Sequence, residues 1–271
     1  MNEIHRPAAF RRPPLGRWPL TVVGAVDVTP RMRRVSLVGE TLDGFVYRPG
    51  QDLVLNLPSG RGDTVRRHYT IRRFDAQEGR LEIDFVLHGA SPATNWARGA
   101  ELGDAIIAEG PRGRTSVRGP ADWRLFTGDE TALPGIAAMI ERLPAGEHAV
   151  AFIEVAGPEE EQPIETAARL DLTWLHRGGP PRAPSLGLMQ ALTTFQFPPG
   201  IGQACIIGET STVRAQRQGL IARGFAKDRI AAEGYWRPGR VGGHDHVVDP
   251  AELIAAAFAR GRRREHGQRR V

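Results

Sequence analysis

At roughly 100 to 200 residues per domain, the 271-residue chain suggests about two domains, and its 41% hydrophobic and 25% charged residues are those of a globular protein, so disorder is not the default reading. No stretch approaches the ~20 apolar residues of a membrane-spanning helix, which excludes a helical membrane protein. The formal net charge of +5 would suit a nucleic-acid or membrane-surface binder. However, Arg260, Arg262, Arg263, Arg264, Arg269 and Arg270 against Glu265 supply all of it. Arg6, Arg11, Arg12 and Arg17 against Glu3 form a second basic end, so residues 18–259 carry −3. Lys227 is the sole lysine, which reports a coding bias toward arginine. The single cysteine, Cys205, excludes an internal disulfide, a four-cysteine iron–sulfur cluster and a cysteine-rich zinc site within this chain. The N-terminus lacks the apolar run of a secretory signal, and Pro13, Pro14 and Pro19 would interrupt one, so a cytoplasmic location is expected.

In chain order, strand-like runs of period two fall at Thr21 to Val28, Arg34 to Val38, Leu53 to Leu57 and His68 to Arg72. They continue at Leu81 to Leu87 and Ala105 to Ala108. The clearest is the fifth, where Leu81, Ile83, Phe85 and Leu87 alternate with Glu82, Asp84, Val86 and His88. Turn residues such as Pro49-Gly50, Ser59-Gly60 and Glu78-Gly79 separate the runs, which predicts a small antiparallel β-barrel. After Gly119-Pro120 the pattern changes. Apolar runs at Leu125 to Thr127, Ala149 to Val155, Leu172 to Leu175 and Ala204 to Ile207 alternate with stretches of helical period. Helices are expected at Ala132 to Leu143, Leu186 to Phe195, Thr212 to Gly224 and Ala251 to Arg260. The second half therefore reads as an α/β domain with a parallel sheet. The expected division is residues 1–119 and 120–271.

The run Arg67-His68-Tyr69-Thr70-Ile71-Arg72 sends Tyr69 and Ile71 to one face of a strand and His68, Thr70 and Arg72 to the other. An aromatic ring for a flat conjugated cofactor, a hydroxyl for a ring nitrogen and a guanidinium for a phosphate stand side by side. His88-Gly89-Ala90-Ser91-Pro92-Ala93-Thr94-Asn95-Trp96 then leads into a short helix, with Ser91 or Thr94 as N-cap and amides suited to an anion. Gly103-Asp104 and Gly110-Pro111-Arg112-Gly113 by themselves predict only turns.

The ordered set is more specific than its parts. Arg-x-Tyr-Thr-x-Arg, His-Gly-x-x-Pro-Ala-Thr-x-Trp, Gly-Asp, Gly-Pro-Arg-Gly, Gly128-Asp129-Glu130-Thr131-Ala132-Leu133-Pro134 and Gly234-Tyr235-Trp236-Arg237 follow one another over residues 18–240. In this order they resemble the siderophore-interacting protein family of flavin-dependent ferric-siderophore reductases, within the ferredoxin reductase-like group. The resemblance implies a barrel that binds FAD non-covalently and a second domain that binds NADPH or NADH. It implies Tyr69 and Thr70 at the isoalloxazine as the catalytic contacts, Arg67 at the phosphates, and Ala93 and Thr94 at the pyrophosphate. His68, Ile71, Arg72, His88 and Trp96 complete the cofactor-binding set on the barrel. Where the family often has Gly-Pro-Ala-Ser, this chain has Ser91-Pro92-Ala93-Thr94, which keeps a hydroxyl at the fourth position.

The second half lacks Gly-x-Gly-x-x-Gly, so the ordinary dinucleotide fingerprint does not support it. Asp129 and Glu130, at the first strand-to-helix turn, would repel a pyrophosphate, so this turn is expected to face nicotinamide or ribose through Thr131. Arg177, beside His176, is the candidate cation for a 2'-phosphate, opposed by Glu159, Glu160 and Glu161; NADPH is favoured over NADH on this basis. Tyr235 and Trp236 are placed near the flavin or nucleotide. Arg237, Arg240 and Arg66 are candidates for attracting an anionic ferric siderophore. His244-Asp245-His246 with Asp249 reads as a Gly-rich loop, and no metal site is assigned; Cys205 reads as a small buried hydrophobe. Other readings remain open: a general flavin reductase serving a ferredoxin, flavodoxin or quinone, or a non-catalytic binding protein. Neither nucleic acid, membrane nor an obligate protein partner is implied. Removing residues 260–271 is expected to leave FAD bound, as read from the flavin spectrum of the purified truncation.

Overall fold

The structure is a computed structural model that describes residues 16–60, 62–113, 115, 119–239 and the backbone of 245–246. The C-terminal basic end, the N-terminal one apart from Arg17, Arg240, the His244 to Asp249 side chains and the expected helix Ala251 to Arg260 lie outside the described residues.

Strands β1 (Gly16–Thr29), β2 (Met32–Val38), β3 (Asp52–Pro58), β4 (Thr64–Asp75), β5 (Arg80–Val86) and β6 (Ala105–Arg112) close into a barrel in the order β1-β2-β5-β4-β3-β6, every pairing antiparallel. The period-two residues explain closure. Leu81, Ile83 and Phe85 join Leu37, Leu53, Leu55 and Ile71 in one fully buried core, and closing the sheet leaves no unpaired edge. Helix α1 (Pro92–Gly99) packs on β3 and β5 through Ala93 and Ala97.

The second half forms β7 (Trp123–Asp129), α2 (Leu133–Ile140), β8 (His148–Val155), β9 (Arg169–His176), α3 (Leu186–Thr194), β10 (Gly202–Glu209), α4 (Thr210–Ala222), β11 (Ile230–Trp236) and β12 (Asp245–His246). The sheet order is β12-β11-β10-β7-β8-β9, parallel except for the short antiparallel edge β12. Central strand β7 is buried along its whole length, because α2 lies over one face and α3 and α4 over the other. That double cover is why it reads as an apolar run rather than an alternation.

Three sequence expectations shift. Helix α2 ends at Ile140, short of Leu143, and α4 starts two residues before Thr212. Glu209 caps α4 by accepting from the Ser211 and Thr212 amides, a role more often given to Ser, Thr, Asp or Asn. Strand β11 was not among the expected strands, since Ile230-Ala231-Ala232-Glu233-Gly234 has little β-branched character. It forms because β10 pairs with it in parallel and α4 packs on it, and its Glu233 is buried against the Thr115 hydroxyl. No helix among the described residues is long and apolar enough to cross a membrane.

Candidate active site

A cleft of about 330 Å3 opens between the barrel and the C-terminal ends of the sheet strands. β4 contributes His68, Tyr69 and Thr70; Val86 and His88 come from the end of β5 and the turn after it. Thr131 and Pro134 come from the β7–α2 turn, and Tyr235, Trp236 and Arg237 from the end of β11. The sequence segments separated by more than 150 residues are thus brought to one cavity, of a size suited to a small-molecule ligand.

The Tyr69 ring lies on Phe85 with centroids 4.2 Å apart, and Phe85 is backed by Trp96 at 5.4 Å. Burial pushes the Tyr69 hydroxyl well above the usual phenol range, so it stays protonated. Ile71 shares the face of Tyr69 but lies deeper, wholly inside the barrel core, and does not reach the cleft. On the opposite face, the Thr70 and Tyr235 hydroxyls are hydrogen-bonded at 3.2 Å across the seam between barrel and sheet. Gly135 lets α2 pack closely on Thr70, because a Cβ there would stand 3.0 Å from the Thr70 methyl. His68 Nδ1 is 2.6 Å from Asp52, a buried carboxylate on β3 whose register partner is Thr70.

Arg72 points elsewhere. Its two terminal nitrogens donate to Glu141 at 2.7 and 2.6 Å, and its Nε lies 3.7 Å from Asp84, which Arg34 grips through two bonds of 2.7 and 2.8 Å. The guanidinium expected at a phosphate is therefore part of a seam of charge joining the barrel to the residue that ends α2. Arg67 donates to the carbonyl of Arg66 at 2.9 Å, and Arg66 pairs with Glu109 at 2.8 Å; neither lines the cleft.

Ser91 is the N-cap of α1, accepting from the Thr94 amide at 3.1 Å. The Thr94 hydroxyl donates to the His88 carbonyl at 3.2 Å, and Thr94 and Ala93 are each 1% exposed. The hydroxyl is thus spent inside the turn, and Trp96 serves as the support of Phe85.

At the C-terminal end of β7, Asp129 is fully enclosed. It accepts from the Thr131 amide at 2.9 Å and hydroxyl at 2.5 Å, the Glu209 amide at 2.9 Å and Trp236 Nε1 at 2.9 Å. Burial first, and then the neighbouring Glu130, push its carboxyl up to about 6. Arg177 forms a two-pronged pair with Glu130, and His176 lies 2.8 Å from Glu161, so both cations expected at a 2'-phosphate have acidic partners. Glu154, opposite Asp129 on β8, is raised by burial despite a bond from the Ser185 hydroxyl. Four carboxylates, Asp129, Glu130, Glu154 and Glu209, gather at the C-terminal ends of these interior strands. Sequence reasoning did not single out Asp52, Asp84 or Phe85, because their roles arise from barrel register rather than from neighbours in the chain.

Residues 121–239 match the family model described as siderophore-interacting protein, and residues 55–115 the one described as siderophore-interacting FAD-binding domain. Over 238 residues the chain is 33% identical to the ferric vibriobactin reductase ViuB of Vibrio cholerae, which spans 79% of this chain and 86% of that protein. The chain belongs to the siderophore-interacting protein family. This siderophore-interacting protein is also similar to a siderophore utilization protein from T. fusca, with TM-score 0.80, 34% identity, and 88% and 98% of the two chains covered. Its fold is that of the ferredoxin reductase-like group, shared with a ferredoxin NADP+ reductase from Neisseria gonorrhoeae at TM-score 0.59 and 17% identity over 81% and 99% of the chains.

The cleft of this siderophore-interacting protein fits the FAD of its matched domain. A flat tricyclic ring requires aromatic and aliphatic walls with a few polar groups at its edge. Tyr69, Val86 and Pro134 provide such walls, and Thr70, His68 and Tyr235 the polar groups.

Proposed function

We propose that the chain is an FAD-dependent NAD(P)H:ferric-siderophore oxidoreductase, with residues 1–119 holding FAD and residues 120–271 the nicotinamide dinucleotide. The observation that carries this reading is the cleft in which Tyr69 and Thr70 of the barrel meet Tyr235 and Trp236 from the C-terminal end of β11. Bound there, FAD would supply the exchange between a two-electron hydride donor and a one-electron acceptor, with one NAD(P)H oxidised and one proton released for every two ferric ions reduced.

The chain's own residues bind and orient. Phe85 and Trp96 stiffen the Tyr69 ring into a fixed wall. The Thr70 hydroxyl, which donates to the Tyr235 oxygen, offers its lone pairs as the acceptor at the ring edge. Asp129 and Glu130 keep phosphates away from the β7–α2 turn, which favours the nicotinamide or ribose end there. Arg237 at the cleft supplies positive charge toward an anionic chelate. A hard oxygen-donor chelate holds Fe(II) far less firmly than Fe(III), so the protein releases iron without ligating it, and the siderophore is the only partner the reading requires.

Anaerobic reduction by NADH and NADPH separately, followed by reoxidation with ferric siderophores, ferredoxin, flavodoxin or quinones, tests the reading. Bleaching of the flavin by a dinucleotide and rapid recovery with a ferric siderophore, with Fe(II) trapped by a chromogenic chelator, is the expected result. A ferric chelate no faster than the other acceptors overturns it. Thr70→Val is expected to weaken FAD binding about tenfold, the size of one hydrogen bond lost in a closed site, as read by fluorescence titration.

A further inference from the structure

We propose that Asp129 is the positioning residue on the sheet side of the cleft: its carboxylate holds the Trp236 indole in the wall and turns the Thr131 hydroxyl proton away from the ligand. This inference rests on the reductase reading only for what the ligand is. Its structural content stands without it.

The geometry is closed on every side. One oxygen, Oδ2, accepts from Trp236 Nε1 and the Glu209 amide, and the other, Oδ1, from the Thr131 amide and hydroxyl. Three elements, the β7–α2 turn, the β10–α4 junction and the end of β11, are thereby stitched to one side chain. Gly208 makes room for it: its φ of +134° and its missing Cβ, which would stand 2.7 Å from Oδ2, let β10 approach. No Lys or Arg among the described residues forms an ion pair with Asp129. The charged groups around it are Glu130 on its own turn, paired with Arg177, Glu154 opposite it on β8, and Glu209, whose carboxylate is turned to cap α4.

Protonation of Asp129 has one route that leaves no donor facing a donor. An indole N–H and a backbone N–H can only donate, whereas a hydroxyl can turn and accept. A proton taken from solvent therefore belongs on Oδ1, shared with the Thr131 oxygen. The Thr131 hydroxyl then reverses and offers its own proton to the cleft, and the Trp236 bond loses its charge assistance. In the ionised form, Thr131 presents lone pairs instead, matched to a ligand that donates, such as a carboxamide amine or a ribose hydroxyl. The raised carboxyl, at about 6, puts this exchange within reach of ordinary buffers.

The test is the indole N–H resonance of Trp236 in the FAD-loaded, nitrogen-15-labelled protein from pH 4.5 to 8, assigned with Trp236→Phe. The Trp236 signal is expected to move with a midpoint near 6. Trp18, whose indole donates to the Gly110 carbonyl at 2.9 Å, is expected to stay still. Asp129→Asn should abolish the movement and raise the KM for the dinucleotide about tenfold. A Trp236 signal that does not titrate in the native protein overturns the proposal even if Asp129→Asn fails to fold, as does one that titrates identically in that variant. If Trp236 titrates as expected but neither dinucleotide reduces the flavin at any pH, the positioning role stands and the reductase reading falls.

Discussion

Phe85→Ala is expected to lower stability by about 3–5 kcal/mol, the range for removing a buried aromatic ring, and to weaken flavin binding along with it. Phe85 is fully buried at the centre of the barrel core. It also stands directly behind Tyr69 and in front of Trp96, so the ring that forms the cleft wall loses its support when Phe85 is truncated. The transfer and cavity terms account for the stability loss, since closed antiparallel strands on both sides prevent the barrel from collapsing inward. The consequence for the ligand follows from orientation: a Tyr69 ring free to tilt no longer offers one flat face. Urea denaturation reads the first effect, and FAD affinity at a urea concentration where both proteins are folded reads the second. Phe85→Leu, which keeps most of the volume, should recover much of the stability and little of the affinity, because a branched aliphatic group does not back a ring as a ring does. Unchanged affinity in Phe85→Ala would show that the Tyr69 face is set by something else.

The second large effect is expected at Arg72. Replacing it with methionine removes the fork that binds Glu141 at 2.7 and 2.6 Å and leaves Asp84 with Arg34 alone. Breaking a largely buried pair from one side leaves its partner short of a counter-charge, which costs about 2–4 kcal/mol here, reduced from the fully buried range because Glu141 is partly exposed. Changing Glu141 as well, to methionine, should restore part of that loss, since no unpaired charge then remains. The same variant separates two roles for Arg72. If it acts in the seam, stability falls and FAD affinity changes modestly, through the Thr70–Tyr235 contact that the seam aligns. If it acts as a phosphate fork, FAD affinity collapses while stability holds.

Much of the fold was legible in the chain because its signals are local. Alternation at Leu81, Ile83 and Phe85 marks a half-buried strand, and the continuous apolar run around Leu125 marks one covered on both faces. β11 was not legible, since Ala231, Ala232 and Gly234 carry no strong strand preference and pair only because β10 offers them a neighbour. The same division runs through the site. The chemistry of Tyr69, Thr70, Tyr235 and Trp236 could be named from their order along the chain, and these four meet in one cleft. The partners of Arg72, Thr94, Thr131 and Arg177 could not. Each of these side chains, expected to face a ligand, is hydrogen-bonded to Glu141, His88, Asp129 or Glu130.

By itself the amino-acid sequence determined which residue types are available and where: the two architectures, the flavin motif, and a basic excess confined to the chain ends. Only the tertiary structure decided which of those polar groups face the cleft and which are hydrogen-bonded to other parts of the protein. The physical reason is that a strand's period tells which face a side chain takes, whereas its hydrogen-bond partner depends on register and on a second element tens of residues away. Asp129 shows the difference most clearly: in the chain it is one acid beside another, and in the fold it is a carboxylate surrounded by four donors from three elements.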